Sequence, residues 1–172
     1  MTGRLDLWLV RHGATEWNLA GRLAGWSDVG LSLAGRRQAR RLRPFLDRIG
    51  SALVWSSDLR RATETAHLAG LDPAIDRRLR EIKFGALEGR TWTELDQSAR
   101  EGILRVEGFR APGGESFDDL RDRVMAFVDD LADGRHIIVS HGGPLRTLLR
   151  QAGRAEEVPP GGVRRLEWPP SG

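Results

Sequence analysis

Apolar residues along the chain alternate between two rhythms. Leu5-Asp6-Leu7-Trp8-Leu9-Val10 is short and rich in apolar and aromatic residues, and it stops at Arg11-His12-Gly13. That is the pattern of a buried strand running into a loop. Ala52-Leu53-Val54-Trp55-Ser56 and His136-Ile137-Ile138-Val139-Ser140 repeat it. Between these runs the spacing becomes helical. Leu42, Phe45, Leu46 and Ile49 predict a helix over 33–49 with Ser32 as its N-cap, and Pro44 is expected to kink or shorten it. Asp58 stands at the start of an Ala-rich helix to about Ala69. Phe117, Leu120, Val124, Phe127, Val128 and Leu131 form one stripe against Asp118, Asp119, Arg121, Asp122 and Arg123, so 116–131 reads as the clearest helix. Gly143-Pro144-Leu145 opens a helix to about Gln151, because proline fits a first turn that needs no amide donor there. Val163–Trp168 reads as a last strand.

Strands alternating with helices predict an α/β fold, a three-layer α/β/α sandwich with a mostly parallel central sheet. A length of 172 residues suits a single domain spanning 1–172. With 40% hydrophobic and 30% charged residues, the chain has enough apolar material for a core.

The absence of cysteine excludes disulfides and thiolate metal sites. No apolar run approaches the roughly 18 to 20 residues of a membrane span, and the N-terminus lacks a leader-like segment, so a cytoplasmic protein with no membrane partner is expected. The net charge is +3, yet Lys83 is the only lysine among 27 basic residues. An arginine excess suits phosphate or nucleic-acid contact, but GC-rich coding explains it more simply, so each arginine must be judged by position. The run Arg36, Arg37, Arg40, Arg41 and Arg43 reads as a solvated helix face, and no nucleic-acid partner is expected.

In open α/β sheets, ligands bind beyond the C-terminal strand ends. Arg11-His12-Gly13 follows the first strand, Ser56-Ser57-Asp58-Leu59 leads from the second to Arg60, and Ser140-His141-Gly142-Gly143 follows the third. Two imidazoles and two guanidiniums at one edge suit a dianion such as a phosphoryl group, whose nonbridging oxygens they would neutralise. Histidine is also a competent nucleophile toward phosphorus. No metal or cofactor is called for. His67 and His136 read as solvent-facing or structural.

From Leu7 to about Leu149 the chain resembles the histidine phosphatase superfamily, of phosphoglycerate mutase-like fold. The segments that carry the resemblance occur in order. They are Leu9-Val10-Arg11-His12-Gly13 through Asn18; Arg22, Gly25, Asp28, Leu31, Gly35, Gln38 and Ala39; Ser56-Ser57-Asp58-Leu59-Arg60-Arg61-Ala62; Glu81 through Gly89; Pro112-Gly113-Gly114-Glu115-Ser116; and Val139-Ser140-His141-Gly142-Gly143. The resemblance implies that His12 attacks phosphorus and becomes phosphorylated, while Arg11, Arg60 and His141 hold the phosphoryl oxygens. It gives Arg60 precedence over its neighbour Arg61. Asn18 and Gly142 would add donors to the phosphate. Glu81, in competition with Glu88 and Glu115, would be the general acid and then the base. Trp26 is a candidate for the pocket wall.

Within that superfamily, mutases resemble one another in a basic insertion after the acid loop. The segment 90–112 is short, contains no lysine and lacks paired arginines, which favours the phosphatase branch and a small phosphorylated metabolite as substrate. Two alternatives stand beside a metal-independent phosphomonoesterase: a phosphoglycerate mutase, and a catalytically silent phospho-ligand or nucleic-acid binding module. A homodimer is left open.

Overall fold

The computed structural model describes residues 4–105 and 108–170. The extreme ends of the expected domain 1–172, and residues 106–107 within the segment 90–112, lie outside the described residues.

Strand β1 (Leu5–Arg11) lies inside a five-stranded sheet, between β4 (Gly134–Ser140), parallel to it, and β5 (Val163–Trp168), antiparallel at one edge. Strands β2 (Leu53–Ser56) and β3 (Ala74–Ile75) extend the parallel part beyond β4. Successive side chains in a strand point to opposite faces. Leu5, Leu7 and Leu9 of β1 and Ile138 of β4 therefore enter one core, with Leu120, Val124 and Phe127 of α5 (Phe117–Asp129) and Leu145, Leu148 and Leu149 of α6 (Gly142–Gln151). Val10, Ile137 and Val139 enter the other, with Leu42 and Leu46 of α2 (Leu33–Leu46) and Ala62 and Ala66 of α3 (Arg60–Leu68). These are the three expected layers, with a mostly parallel sheet in the middle.

Pro44 lies inside α2 without ending it; the helix runs to Leu46 and tightens into a 3-10 turn at Asp47–Ile49. Ser32 caps α2 through the Gly35 amide. Ser116 and Asp119 form a reciprocal capping box at the start of α5. The Asp58 carboxylate is taken by Arg80, and α3 begins at Arg60 after Leu59 without a side-chain cap. Three short elements have no counterpart in the sequence reading: α1 (Glu16–Leu19), β3 and α4 (Gln97–Arg105). No helix among the described residues is long and apolar enough to cross a membrane.

Candidate active site

Strand register brings the first two candidates together. Arg11 pairs with Ser140 across β1 and β4, so the next residues, His12 and His141, leave adjacent parallel strands side by side. The His12 amide donates to the Ser140 carbonyl at 3.0 Å, and the two imidazole centroids lie 5.0 Å apart. Gly13 is needed beside them: a Cβ there would sit 2.5 Å from the carbonyl oxygen of Gly35 in the first turn of α2.

The hydrogen bonds fix both tautomers. A carbonyl oxygen can only accept, so the 2.7 Å contact between His12 Nδ1 and Gly13 O places the proton on Nδ1 and leaves Nε2 with its lone pair. An arginine nitrogen can only donate, so Arg61 Nε, 3.2 Å from His141 Nδ1, makes that atom an acceptor. The His141 proton is then on Nε2, 2.9 Å from Ser57 Oγ.

Both imidazoles are held neutral. Burial pushes His12 down to about 3, and the nearby Arg61 and Arg11 charges act in the same direction against the Gly13 hydrogen bond. Burial likewise holds His141 well below the ordinary histidine value, helped by Arg61.

Arg60 does not join this cluster. Its side chain is 59% exposed and pairs with Glu64 at 2.8 Å, one helical turn along α3. Arg61 occupies the interior instead, at 1% exposure, donating to His141 Nδ1, Ser27 O (2.9 Å) and Gly25 O (2.7 Å). The helix phase decides between the two. Arg61, Ala62, Thr65 and Ala66 are the buried face of α3, so Arg61 points to the sheet edge while Arg60 turns outward with Glu64. The Ala62-Ala66-Ala69 stripe was the signal in the sequence that identifies the inward arginine. Thr65, on the same face, receives the Gly13 amide at 3.0 Å.

Burying a guanidinium costs several kcal/mol unless something compensates it. Among the described residues Arg61 has hydrogen-bond acceptors but no paired carboxylate; Glu81, Asp28 and Glu88 favour its charge only at longer range, and burial lowers its pKa. Arg11 is similar. Its Nη1 donates to Val158 O at 3.0 Å, while its buried Nε has no partner among the described residues. Two cations short of anionic partners therefore flank two neutral imidazoles, an arrangement that suits an incoming anion.

The three candidate acids separate clearly. The Glu88 carboxylate accepts from Trp26 N, Ser27 N, Ser27 Oγ and Phe84 N, which pins two loops together. The Glu115 carboxylate is taken by Arg123 and the Lys83 amide. Among the described residues Glu81 accepts only from backbone amides, those of Ile82 and Gly143, and it lines a cavity of about 170 Å³ with Arg11, Gly142 and Arg146. A Cβ at Gly143 would run into the Glu81 carboxylate and push it aside. Arg146 and Gly143 also border a second cavity of about 210 Å³ with Phe117, Arg121, Thr147 and Arg150.

Gly142 begins α6 under the Arg11 guanidinium; a Cβ there would lie 3.2 Å from its central carbon. Thr15 caps α1 and Asn18 completes the capping box, its Oδ1 accepting from the Thr15 amide at 3.1 Å, while its amide nitrogen has no partner among the described residues. Trp26 is a support for the acid loop: its Nε1 donates to Glu81 O at 2.7 Å, and Arg80 lies over its ring. His136 is buried between Trp55 Nε1 and Ala132 O, and His67 is exposed. Among the described residues no group of three or more His, Cys, Asp or Glu could hold a metal ion.

Residues 7–171 match the histidine phosphatase superfamily (branch 1). The chain is 39% identical over 158 residues to the protein named "Probable phosphoglycerate mutase GpmB" of Escherichia coli (strain K12 / DH10B), a match covering 84% of this chain and 73% of that one. The crystal structure of a phosphoglycerate mutase from Thermus thermophilus is similar at a TM-score of 0.90 and 47% identity, covering 96% of this chain and 94% of its own. A protein named "putative alpha-ribazole-5'-P phosphatase" from Escherichia coli K-12 is similar at a TM-score of 0.83 and 28% identity, covering 95% and 90%.

Proposed function

Because the chain belongs to the histidine phosphatase superfamily, we propose that it is a metal-independent phosphomonoesterase working through a phosphohistidine at His12. The observation that carries this reading is the His12 imidazole, neutral and protonated on Nδ1, beside two cations that lack anionic partners.

In this reading the phosphoryl oxygens of the substrate are held by Arg11, Arg61 and His141, whose Nε2–H leaves Ser57 Oγ for the substrate, with Asn18 and the Gly142 amide as further donors. Phosphoryl transfer needs mainly positioning and charge stabilisation, which this set supplies. His12 Nε2 attacks phosphorus in line, the bond to the leaving oxygen breaks, and the Glu81 carboxyl gives that oxygen its proton. The Glu81 carboxylate then takes a proton from water. The water oxygen attacks phosphorus, the P–N bond breaks, and inorganic phosphate leaves a free His12. The reading puts the leaving group in the cavity bordered by Phe117, Arg146 and Arg150, because Gly143, whose amide holds Glu81, forms part of its wall.

A phosphoglycerate mutase is the second reading, favoured by the names of two of the similar proteins. It would pass the phosphoryl group to a second hydroxyl instead of water, and product analysis separates the two. The test is a panel of phosphorylated metabolites, including sugar phosphates, phosphoglycerates and α-ribazole phosphate, in the presence of chelator. Release of inorganic phosphate, with an acid-labile phosphoenzyme that vanishes in His12→Ala, is expected. His12→Ala should lose about 10⁴-fold or more in kcat. Dependence on added Mg²⁺ would exclude the proposal, and isomerised phosphoglycerate without net phosphate would replace it with the mutase reading.

A further inference from the structure

We propose that Arg123, gripped by Glu115, is a positioning residue that sets the Glu81 carboxyl against the leaving group and so controls its protonation. This rests on the reading of Glu81 as general acid.

Glu81 lies between two 3-10 turns, Arg77–Leu79 and Gly85–Leu87, where no strand ladder holds the backbone. One guanidinium from α5 takes the place of a ladder. Arg123 Nη1 donates to Arg78 O and Arg80 O, each at 2.7 Å, and Nη2 donates to Glu81 O at 2.8 Å. The other side of the fork meets Glu115, with Nε to Oε1 at 2.8 Å and Nη2 to Oε2 at 2.9 Å. Glu115 Oε2 also accepts the Lys83 amide at 2.9 Å, and the Glu115 amide donates to Lys83 O at the same distance. The chain is thus tied before Glu81, at Glu81 and after it to a single ion pair whose side chains are each 16% exposed.

The side-chain end has less support. Among the described residues the Glu81 carboxylate is held only by the amides of Ile82 and Gly143. Its direction therefore follows from where the backbone is pinned. Arginine is suited to this because its planar fork presents five donors in fixed directions, whereas a lysine offers one nitrogen that cannot span three carbonyls and a carboxylate. An ion pair that only stabilised the fold would affect every substrate alike. One that aims the acid affects substrates according to how much their leaving group needs a proton.

The test compares kcat/KM for p-nitrophenyl phosphate, whose leaving group departs without protonation, with that for an alkyl phosphate, whose alkoxide does not. In Arg123→Lys the aryl ester is expected to hold within about twofold, while the alkyl ester falls about tenfold or more. Glu81→Gln should show the same selectivity, and adding Arg123→Lys to Glu81→Gln should cost nothing further. Equal losses on both esters, or additive losses in the combined variant, would overturn the proposal.

If Arg123→Lys does not fold, Glu115→Gln, which keeps the volume and removes one charge of the pair, reads the same ratio. If the wild type turns over neither ester, the functional reading has failed. The positioning is then read from the Gly143 amide resonance, which reports the bond to the Glu81 carboxylate. A shift in Arg123→Lys toward its place in Glu81→Gln supports the proposal, and an unmoved signal overturns it.

Discussion

The two sides of this site are held by different kinds of structure. His12 and His141 leave neighbouring parallel strands in register, so their separation is set by the hydrogen-bond ladder of β1 and β4 and by cores on both faces of the sheet. Glu81 sits on irregular backbone, held by groups reaching in from elsewhere: the side chains of Trp26 and of Arg123 with Glu115, and a backbone amide in the first turn of α6. A ladder spreads its constraint over many bonds, whereas the acid loop depends on a few long side chains. Substitutions at the periphery should thus disturb Glu81, the proposed acid, more readily than His12, the proposed nucleophile. Such damage should discriminate among leaving groups, while damage to the cation and imidazole cluster should not.

The largest effect that would sharpen this contrast is expected from Arg61→Ala. It removes the proposed phosphoryl donor together with the group that fixes the His141 tautomer, and kcat/KM should drop about 10²–10³-fold on aryl and alkyl esters alike. The same change strands the carbonyls of Gly25 and Ser27, so chemical denaturation should also register a loss of about 3 kcal/mol. A loss confined to alkyl esters would break the contrast.

Next in size is the pH dependence of stability. His12 is an ordinary histidine when unfolded but is held down to about 3 when folded, so the folded state refuses a proton that the unfolded state accepts. Stability from this group is complete above about pH 6.5 and is lost as the pH falls from there toward about 3. Between about pH 7 and about pH 5 the His12 contribution should fall by about 2 kcal/mol. His141, also held low, adds a loss of the same sign. His12→Asn should flatten the stability curve over that range. An unchanged slope would mean that the cluster is not sealed from water as the sheet edge places it.

The smallest effect is assigned to Arg60→Ala. Its exposed pair with Glu64 is worth at most about 0.5 kcal/mol, and both thermal stability and kcat/KM should stay close to wild type. Inactivation by this change alone would restore Arg60 to the site and reverse the inward assignment of Arg61.

Much of this could be read before any coordinates. The runs of apolar residues located β1, β2, β4 and β5 and the helices α2, α3, α5 and α6, because burial of one face or two imposes a period that survives in the sequence. The elements that escaped are short. β3 has two residues, α1 has four, and α4, with no fully buried residue, leaves almost no apolar stripe to detect. The strand-end histidines were legible for the same reason as the strands: once β1 and β4 are placed, His12 and His141 follow at their ends.

The layered α/β architecture, the order of the motifs and the paired histidines were written into the chain, because the strands and helices that carry them show as local periodicity. Which of Arg60 and Arg61 faces the sheet edge, and what each of Glu81, Glu88 and Glu115 meets, is decided in the tertiary structure. Adjacent helix residues differ by about 100° in direction, and the Ala62-Ala66-Ala69 stripe tells them apart only once α3 is docked on the sheet. The three glutamates differ in what already occupies their oxygens. Those partners, Arg123 and the loop around Trp26, come from distant parts of the chain that only folding brings together.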